Sequence, residues 1–399
     1  MDIIRNIQLF NAGREPERLT LKYRNMRSSP FVFLRGTCHL FYDRLPRARI
    51  LDRAPVTWIC GDLHIENFGS YKGDNRLVYF DMNDFDEAAL APCSWDLVRC
   101  LSSILVGAQS MSVMRPAALA LCHTFLDGYA AALANGKARW VEQETAEGMV
   151  QHLLNNLHSR LRPQFLDSRT ERKGKQRLIR LDGKKALPVS DKQRSKITSC
   201  IETFASQQAN PQFYKVLDVA RRIAGTGSLG VDRFIILVEG KGSPERNYLL
   251  DLKQALPSSL TPHLAVKQPR WQTDAHRVVA LQQRMQAVSM AFLHPVVIGK
   301  KAYVLRGLQP SEDRVVLNGA HKGPRLLDGV IRTMGELVAW GQLRSGGRDN
   351  SAISDTLIHF AQQKKWKQPL LDIAEHCGEQ VEQDWRIYAE AFDDGVFMG

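Results

Sequence analysis

GDLHIENFG (61–69), followed by YFDMNDFDEA (79–88) and SWDL (94–97), is the stretch from which the rest of the chain is read. Asp62 and Asn67 share a short loop behind the apolar segment VTWIC (56–60). Asp84 closes a second apolar segment that begins with RLVYF (76–80). Asp96 then opens an expected helix that buries Leu97, Leu101, Ile104 and Leu105 at helical spacing. Aspartate, asparagine and glycine are also what loops and helix caps are made of, so a lone D-x-x-x-x-N carries little. Strand, loop, strand and helix in this order carry more. Phosphoryl transfer needs a carboxylate to take a hydroxyl proton and oxygen ligands that hold magnesium on nucleotide phosphates. Magnesium is a hard cation that prefers oxygen. The residues therefore read as Asp62 the base and Asn67 and Asp84 the metal ligands, with Asp96 an N-cap that also fixes the loop.

GDLHIENFG resembles the H-G-D-x-x-x-x-N catalytic loop of aminoglycoside phosphotransferases and choline kinases, themselves similar to protein kinases. The resemblance puts Asp62 at the catalytic-base position and Asn67 at that of the metal-binding asparagine. Asp81 and Asp84 both offer a second metal carboxylate, and the step from Asp84 to Asp96 resembles the family spacing. Cys60 stands where the family has a backbone-bracing histidine. Together with SPFVFLRG (29–36) and NDFDEA (83–88), the loop resembles an uncharacterised bacterial family, domain of unknown function 2252, within the kinase-like group. The resemblance runs from about residue 20 to the last helices. It implies an α+β, protein-kinase-like two-lobed fold with extra carboxy-terminal helices, and it names no substrate.

A kinase-like site also needs a glycine-rich loop and a lysine for the phosphates. GTGSLG (225–230) supplies Gly225, Gly227, Ser228 and Gly230, between VARRIA (219–224) and VDRFIILVEG (231–240). The β-branched and aromatic run that follows predicts a strand–loop–strand hairpin, as in kinases, rather than the helix of a dinucleotide site. A second turn, KGSPERN (241–247), leads to YLLDLKQA (248–255), which places Lys253 on the next strand and resembles the phosphate-contacting kinase lysine. DAHRVVALQQRMQAVSMAFL (274–293) reads as the amphipathic helix that in kinases carries a glutamate for that lysine. It offers Gln282, Gln283 and Gln286 but no glutamate, so either Glu312 or Asp313 substitutes or the nucleotide sits differently from its kinase pose. The glycine loop follows the catalytic loop, which predicts a circular permutation with the catalytic half written first.

The expected organisation is a catalytic half (1–150), a basic linker or insertion (151–212), a nucleotide-binding half (213–315) and a helical segment (316–399) packed on the catalytic half. With 44% hydrophobic residues the chain can bury a sizeable core. No secretory signal pattern opens it, no apolar run approaches the roughly 20 residues of a membrane span, and AALALCHTFLDGYAAALA (117–134) reads as a core helix. Seven scattered cysteines without a C-x-x-C fit a reduced, cytoplasmic chain. His64, inside the catalytic loop, orients that loop, contacts substrate, or is a hydrogen-bonded structural histidine. Arg35, after an apolar run, needs a carboxylate, for which Asp86 or Glu87 is expected. Between Ser159 and Lys196, thirteen lysines and arginines face four acids, giving nine of the net charge of +12. That stretch reads as a solvated, mobile insertion with an Asp-Gly hairpin in RLIRLDGKKALPV (177–189), or else as a surface for an anionic partner.

Three functions are compatible with these residues. The first is an ATP- and Mg2+-dependent phosphotransferase whose acceptor hydroxyl is more readily a small molecule's than a protein's. The second is AMP transfer on the same fold. The third is a non-catalytic pseudokinase that binds nucleic acid or another anionic partner through its basic stretch.

Overall fold

Proline and short apolar stripes make the amino-terminal region a run of short helices: α1 (Ile3–Phe10), α2 (Pro16–Arg27), α3 (Pro30–Gly36), α4 (Cys38–Arg44) and α5 (Arg49–Asp52). Pro16 and Pro30 open α2 and α3, where a missing N–H costs nothing. The chain is seen here as a computed structural model, which describes residues 2–315, 317 and 324–397 and shows a mixed α+β architecture with antiparallel sheets.

Four strands follow, β1 (Val56–Ile59), β2 (Phe68–Lys72), β3 (Val78–Met82) and β4 (Ala89–Pro92). β1 pairs with β4 so that Ile59 faces Ala89, and β2 pairs with β3 so that Phe68 faces Met82. Two loops, 60–67 and 83–88, therefore cross between the same two strand pairs and must lie side by side. The Asn83 N–H donates to the Asn67 carbonyl at 2.9 Å and ties them. This register brings the acids of the two motifs together.

Next come α6 (Cys93–Val106), α7 (Arg115–Asn135), β5 (Val141–Glu142), which joins β3, and α8 (Gly148–Ser159). The basic stretch is built into α9 (Arg162–Asp167), β6 (Thr170–Lys173), β7 (Gln176–Ile179), β8 (Ala186–Leu187) and the first turns of α10 (Asp191–Ala205). Its hairpin is β6–β7, turning at Gly174, and not the expected one around Asp182-Gly183. The Asp182 carboxylate accepts the backbone N–H groups of Lys184, Lys185 and Ala186, and β8 pairs with β9 instead of β7. The remaining elements are β9 (Val216–Arg222), β10 (Arg233–Val238), β11 (Tyr248–Gln254), α11 (Asp274–Met285), β12 (His294–Ile298), β13 (Lys301–Gly307), α12 (Pro324–Ser345), α13 (Ser354–Gln362) and α14 (Lys367–Asp393).

The largest sheet has the order β12-β13-β11-β10-β9-β8. One face packs Phe234, Ile236, Leu250, Leu252 and Leu305 on Ile197 and Ile201 of α10. The other packs Ala220, Ile235, Leu237 and Leu249 on Leu166 and Ile179. Strand alternation continues that second face into charge, because Arg233 lies opposite Lys253, and Asp251 lies opposite Arg306. A larger core unites the amino-terminal helices, β1–β5, α6, α7 and α11–α14.

Three other expectations are corrected. The helix expected over 274–293 ends at Met285, where the Gln286 side chain donates to the Met82 carbonyl and Asp81 accepts the Ala287 N–H. Asp96 lies inside the first turn of α6, whose N-cap is Pro92. And one helix, α7, is long and apolar enough by length and composition to cross a membrane, although it packs as the expected core helix on α6, α12 and α13 with Leu121, Phe125, Tyr129 and Leu133 buried.

Close approach of α7 and α12 depends on glycine. A Cβ at Gly335 would collide with the Phe125 carbonyl, and one at Gly128 would come within 2.6 Å of the Arg332 carbonyl. Gly329, on an exposed face of α12, has open space around it. Gly335→Ala should therefore cost about 1–3 kcal/mol through overpacking. Gly329→Ala should add up to roughly 1 kcal/mol from helix propensity. Denaturant melts of the two variants should move in opposite directions.

Candidate functional site

The paired loops and the charged end of the six-stranded sheet enclose a cavity of about 100 Å³. Asp62, His64, Asn67 and Asp84 line it from one side, and Gly225, Gly227, Ser228 and Lys253 line it from the other. Gly230 does not line it; at φ +85° it turns the loop away, and its carbonyl accepts the Glu15 N–H at 3.0 Å. Asp81 is also off the cavity, buried on β3 and spent on the Ala287 N–H and on Arg344 at 3.3 Å. Of the two candidate metal aspartates, Asp84 is the one at the site.

The loop 60–67 is held by its backbone. Both Asp96 oxygens accept N–H groups, from Cys60 at 2.7 Å and Gly61 at 2.9 Å. Burial pushes the Asp96 carboxyl up to about 7 against the pull of these two donors. The Tyr42 hydroxyl donates to the Gly61 carbonyl at 2.6 Å. Gly61 itself sits at φ +78°, where a Cβ would run into the Glu87 carbonyl, so only glycine fits.

Asp62 is met by Arg99 of α6, whose Nε donates to Oδ1 at 2.8 Å. Arg99 is fully buried and lies 4.6 Å over the Phe41 ring. Burial raises the Asp62 carboxyl above its ordinary range although Arg99 pulls it down. Asn67 spends its Nδ2 on the Asp62 carbonyl at 2.6 Å, which leaves Oδ1 for a cation. His64 is buried and pushed well below its ordinary range by desolvation and by Arg35 and Arg99, so it is neutral. Its Nδ1 accepts the Glu66 N–H at 3.2 Å, a brace for the loop.

On the other side, the ammonium of Lys253 pairs with Asp86 and stands 3.8 Å from Asp84. Burial would raise Asp84, but Lys253, Arg306, Arg314 and Arg233 outweigh it and hold the carboxyl at about 2. Behind Lys253, the buried Asp251 is shared by Arg222 at 2.9 Å, Arg233 at 2.7 Å and Arg306 at 3.4 Å. Three guanidiniums on one carboxylate leave this end of the sheet cationic.

Lys253 thus takes its acids from the loop 83–88. The expected substitutes are engaged elsewhere, Glu312 with Arg169 and Asp313 with Arg160. Arg35 pairs with Glu66, not with Asp86 or Glu87. Glu87 instead accepts from Ser258 at 3.1 Å and Ser259 at 2.9 Å, tying the segment after β11 to the loop.

The glycine loop is fastened to the amino-terminal helices. Arg14 donates to the Gly227 carbonyl at 2.8 Å, and Lys22, fully buried, donates to the same carbonyl at 3.2 Å and to Asn11 at 2.8 Å. Sequence reading passed over Arg14, Lys22, Arg99, Arg233, Arg306 and Arg314, and it named Asp86 only as a partner for Arg35. Arg99 could have been noticed as a cation one turn from Asp96 in an otherwise apolar helix.

Asn67, Asp84 and Asp86 are oxygen donors of the kind magnesium takes alongside phosphate and water. Among the described residues, no three His, Cys, Asp or Glu side chains form a self-contained metal site. A larger cavity of about 750 Å³ lies elsewhere, lined by Phe213, Tyr248 and Phe292, and of the residues expected at the site it contains Asp313 alone.

A family model described as an uncharacterized protein conserved in bacteria (DUF2252) matches residues 14–391, and the chain belongs to that family. No curated protein and no solved structure matches the chain.

Removing one partner of a buried ion pair costs about 3–5 kcal/mol because the other charge is left unpaired. Arg99→Leu should therefore destabilise the protein strongly. Adding Asp62→Asn to Arg99→Leu should restore much of the loss, and a double-mutant cycle by denaturant melting reads the coupling.

Proposed function

We propose that this protein is an ATP- and magnesium-dependent phosphotransferase with a kinase-like, circularly permuted arrangement. The reading rests above all on one cavity lined by both motif sets, although the chain writes the catalytic loop far ahead of the glycine loop. Hairpin β9–β10 with its glycines, and Lys253 on the neighbouring strand β11, support a phosphate-holding role. The acids that meet Lys253 come from the segment that would hold the metal.

In this reading the acceptor oxygen forms a bond to the terminal phosphorus of ATP as the bond from that phosphorus to the ADP oxygen breaks. The acceptor proton passes to Asp62. Arg99 occupies Oδ1, so Oδ2 is the oxygen that takes it. Asn67 and Asp84 would hold magnesium, which supplies countercharge to the polyphosphate. Lys253 would exchange its carboxylate partners for phosphate oxygens, and Arg233 and Arg306 reinforce the same charge. The acceptor is taken to be a small-molecule hydroxyl rather than a protein side chain.

One observation favours AMP transfer as a second reading. Lys253 has no acidic partner from α11, so the nucleotide has no kinase-type ion pair to set its direction. Label carried from the α-phosphate rather than the γ-phosphate would identify it.

Asp62→Asn should lower turnover by about two to four orders of magnitude while leaving magnesium–ATP affinity nearly unchanged. Asp84→Asn should remove the magnesium-dependent part of ATP binding, as read by calorimetry. Normal turnover by Asp62→Asn would sink the base assignment.

A further inference from the structure

A cleft of about 260 Å³ adjoins the cavity and shares Gly225 and Arg314 with it. Arg169, Arg180 and Lys185, all from the basic stretch, line it together with Arg222 of β9. Asp182 is the single carboxylate among its described lining residues, and its Oδ1 is already taken by three backbone N–H groups. The stretch that looked like a solvated insertion therefore turns three of its cations toward the candidate site.

Two of the lining arginines are short of anions. Arg222 shares Asp251 with Arg233 and Arg306, and its other amino group donates to the Gln309 carbonyl at 2.7 Å. Arg314 makes no ion pair among the described residues and faces both cavities beside Arg35 and Arg233. The backbone explains its position: Gly69 bridges Arg314, and a Cβ at Gly69 would meet the Asp313 carbonyl at 2.6 Å. Burial and neighbouring guanidiniums push Arg222 down to about 9 and Arg314 down to about 10. Cations grouped in this way are stabilised by a bound anion, and arginine forks match phosphate oxygens in particular.

We propose that this cleft is an anion subsite that holds a phosphate group of the acceptor, so that the molecule receiving the transferred phosphate is itself a phosphate ester. The proposal rests on the phosphotransferase reading and adds the acceptor's chemical class. Arg314, at the junction of the two cavities, would sit between the two phosphate groups.

Calorimetric titration of inorganic phosphate into the full chain, first saturated with magnesium and a non-hydrolysable ATP analogue, tests it. One phosphate should bind. Its affinity should fall about tenfold or more in an Arg180→Ala/Lys185→Ala double variant, the loss expected for charge-assisted hydrogen bonds. Both residues are exposed, so the variant should fold, and its affinity for the analogue should stay within about twofold, as expected for separate sites. Phosphate that fails to bind, or that binds only until the analogue displaces it, overturns the proposal; displacement would assign the cleft to the nucleotide. If the analogue itself does not bind, the phosphotransferase reading fails on its own. Phosphate binding to the unliganded chain that is insensitive to the double variant would then dispose of the subsite as well.

Discussion

A lysine ammonium on a buried strand has to be met by negative charge, and Lys253 is only 5% exposed. Asp86 and Asp84 meet it from a loop that follows β3, far earlier in the chain. That requirement draws the end of the six-stranded sheet onto the paired loops 60–67 and 83–88 and so creates the cavity. The other contacts across this boundary are organised around the same pair. Glu87 fastens the segment beyond β11, Arg306 donates to the Asn83 carbonyl at 3.4 Å, and Arg314 is carried alongside by the bridge to Gly69.

The parts of the site that were legible in the sequence are those written locally. Asp62, Asn67 and Asp84 stand in short loops bounded by apolar strands, and the glycines and Lys253 stand in a hairpin series whose alternation is plain. Residues that act through tertiary pairing were not legible. Arg99 serves Asp62 from a helix, and Arg233 and Arg306 reach Asp251 only because of cross-strand register. Two element errors have the same origin. Asp182 reads as half of a two-residue turn, but its side chain captures three amides and sends the chain to β9. Apolar spacing continues past Met285, but side-chain bonds to Met82 and Asp81 take the backbone out of the helix.

Charge distribution separates this site from a simple acidic metal pocket. Arg14, Arg35, Arg233, Lys253, Arg306 and Arg314 line the cavity against Asp62, Asp84, Asp86 and Glu87. Each carboxylate has a cation or backbone donor at hand, as buried charge requires. The surplus is positive, which suits a ligand that brings several negative charges with it. Arg99 engages one oxygen of Asp62 from behind and leaves the other facing the cavity.

Lys22 has a consequence for how the chain can be assembled. Its ammonium is wholly buried among Asn11, which lies nearby in sequence, and the carbonyl of Gly227, which is synthesised some two hundred residues later. Without that carbonyl a buried ammonium would keep Asn11 as its remaining side-chain hydrogen-bond partner, and in the folded protein burial drives its proton affinity down. The site that buries Lys22 is therefore complete only when the amino-terminal helices and the glycine hairpin are both in place.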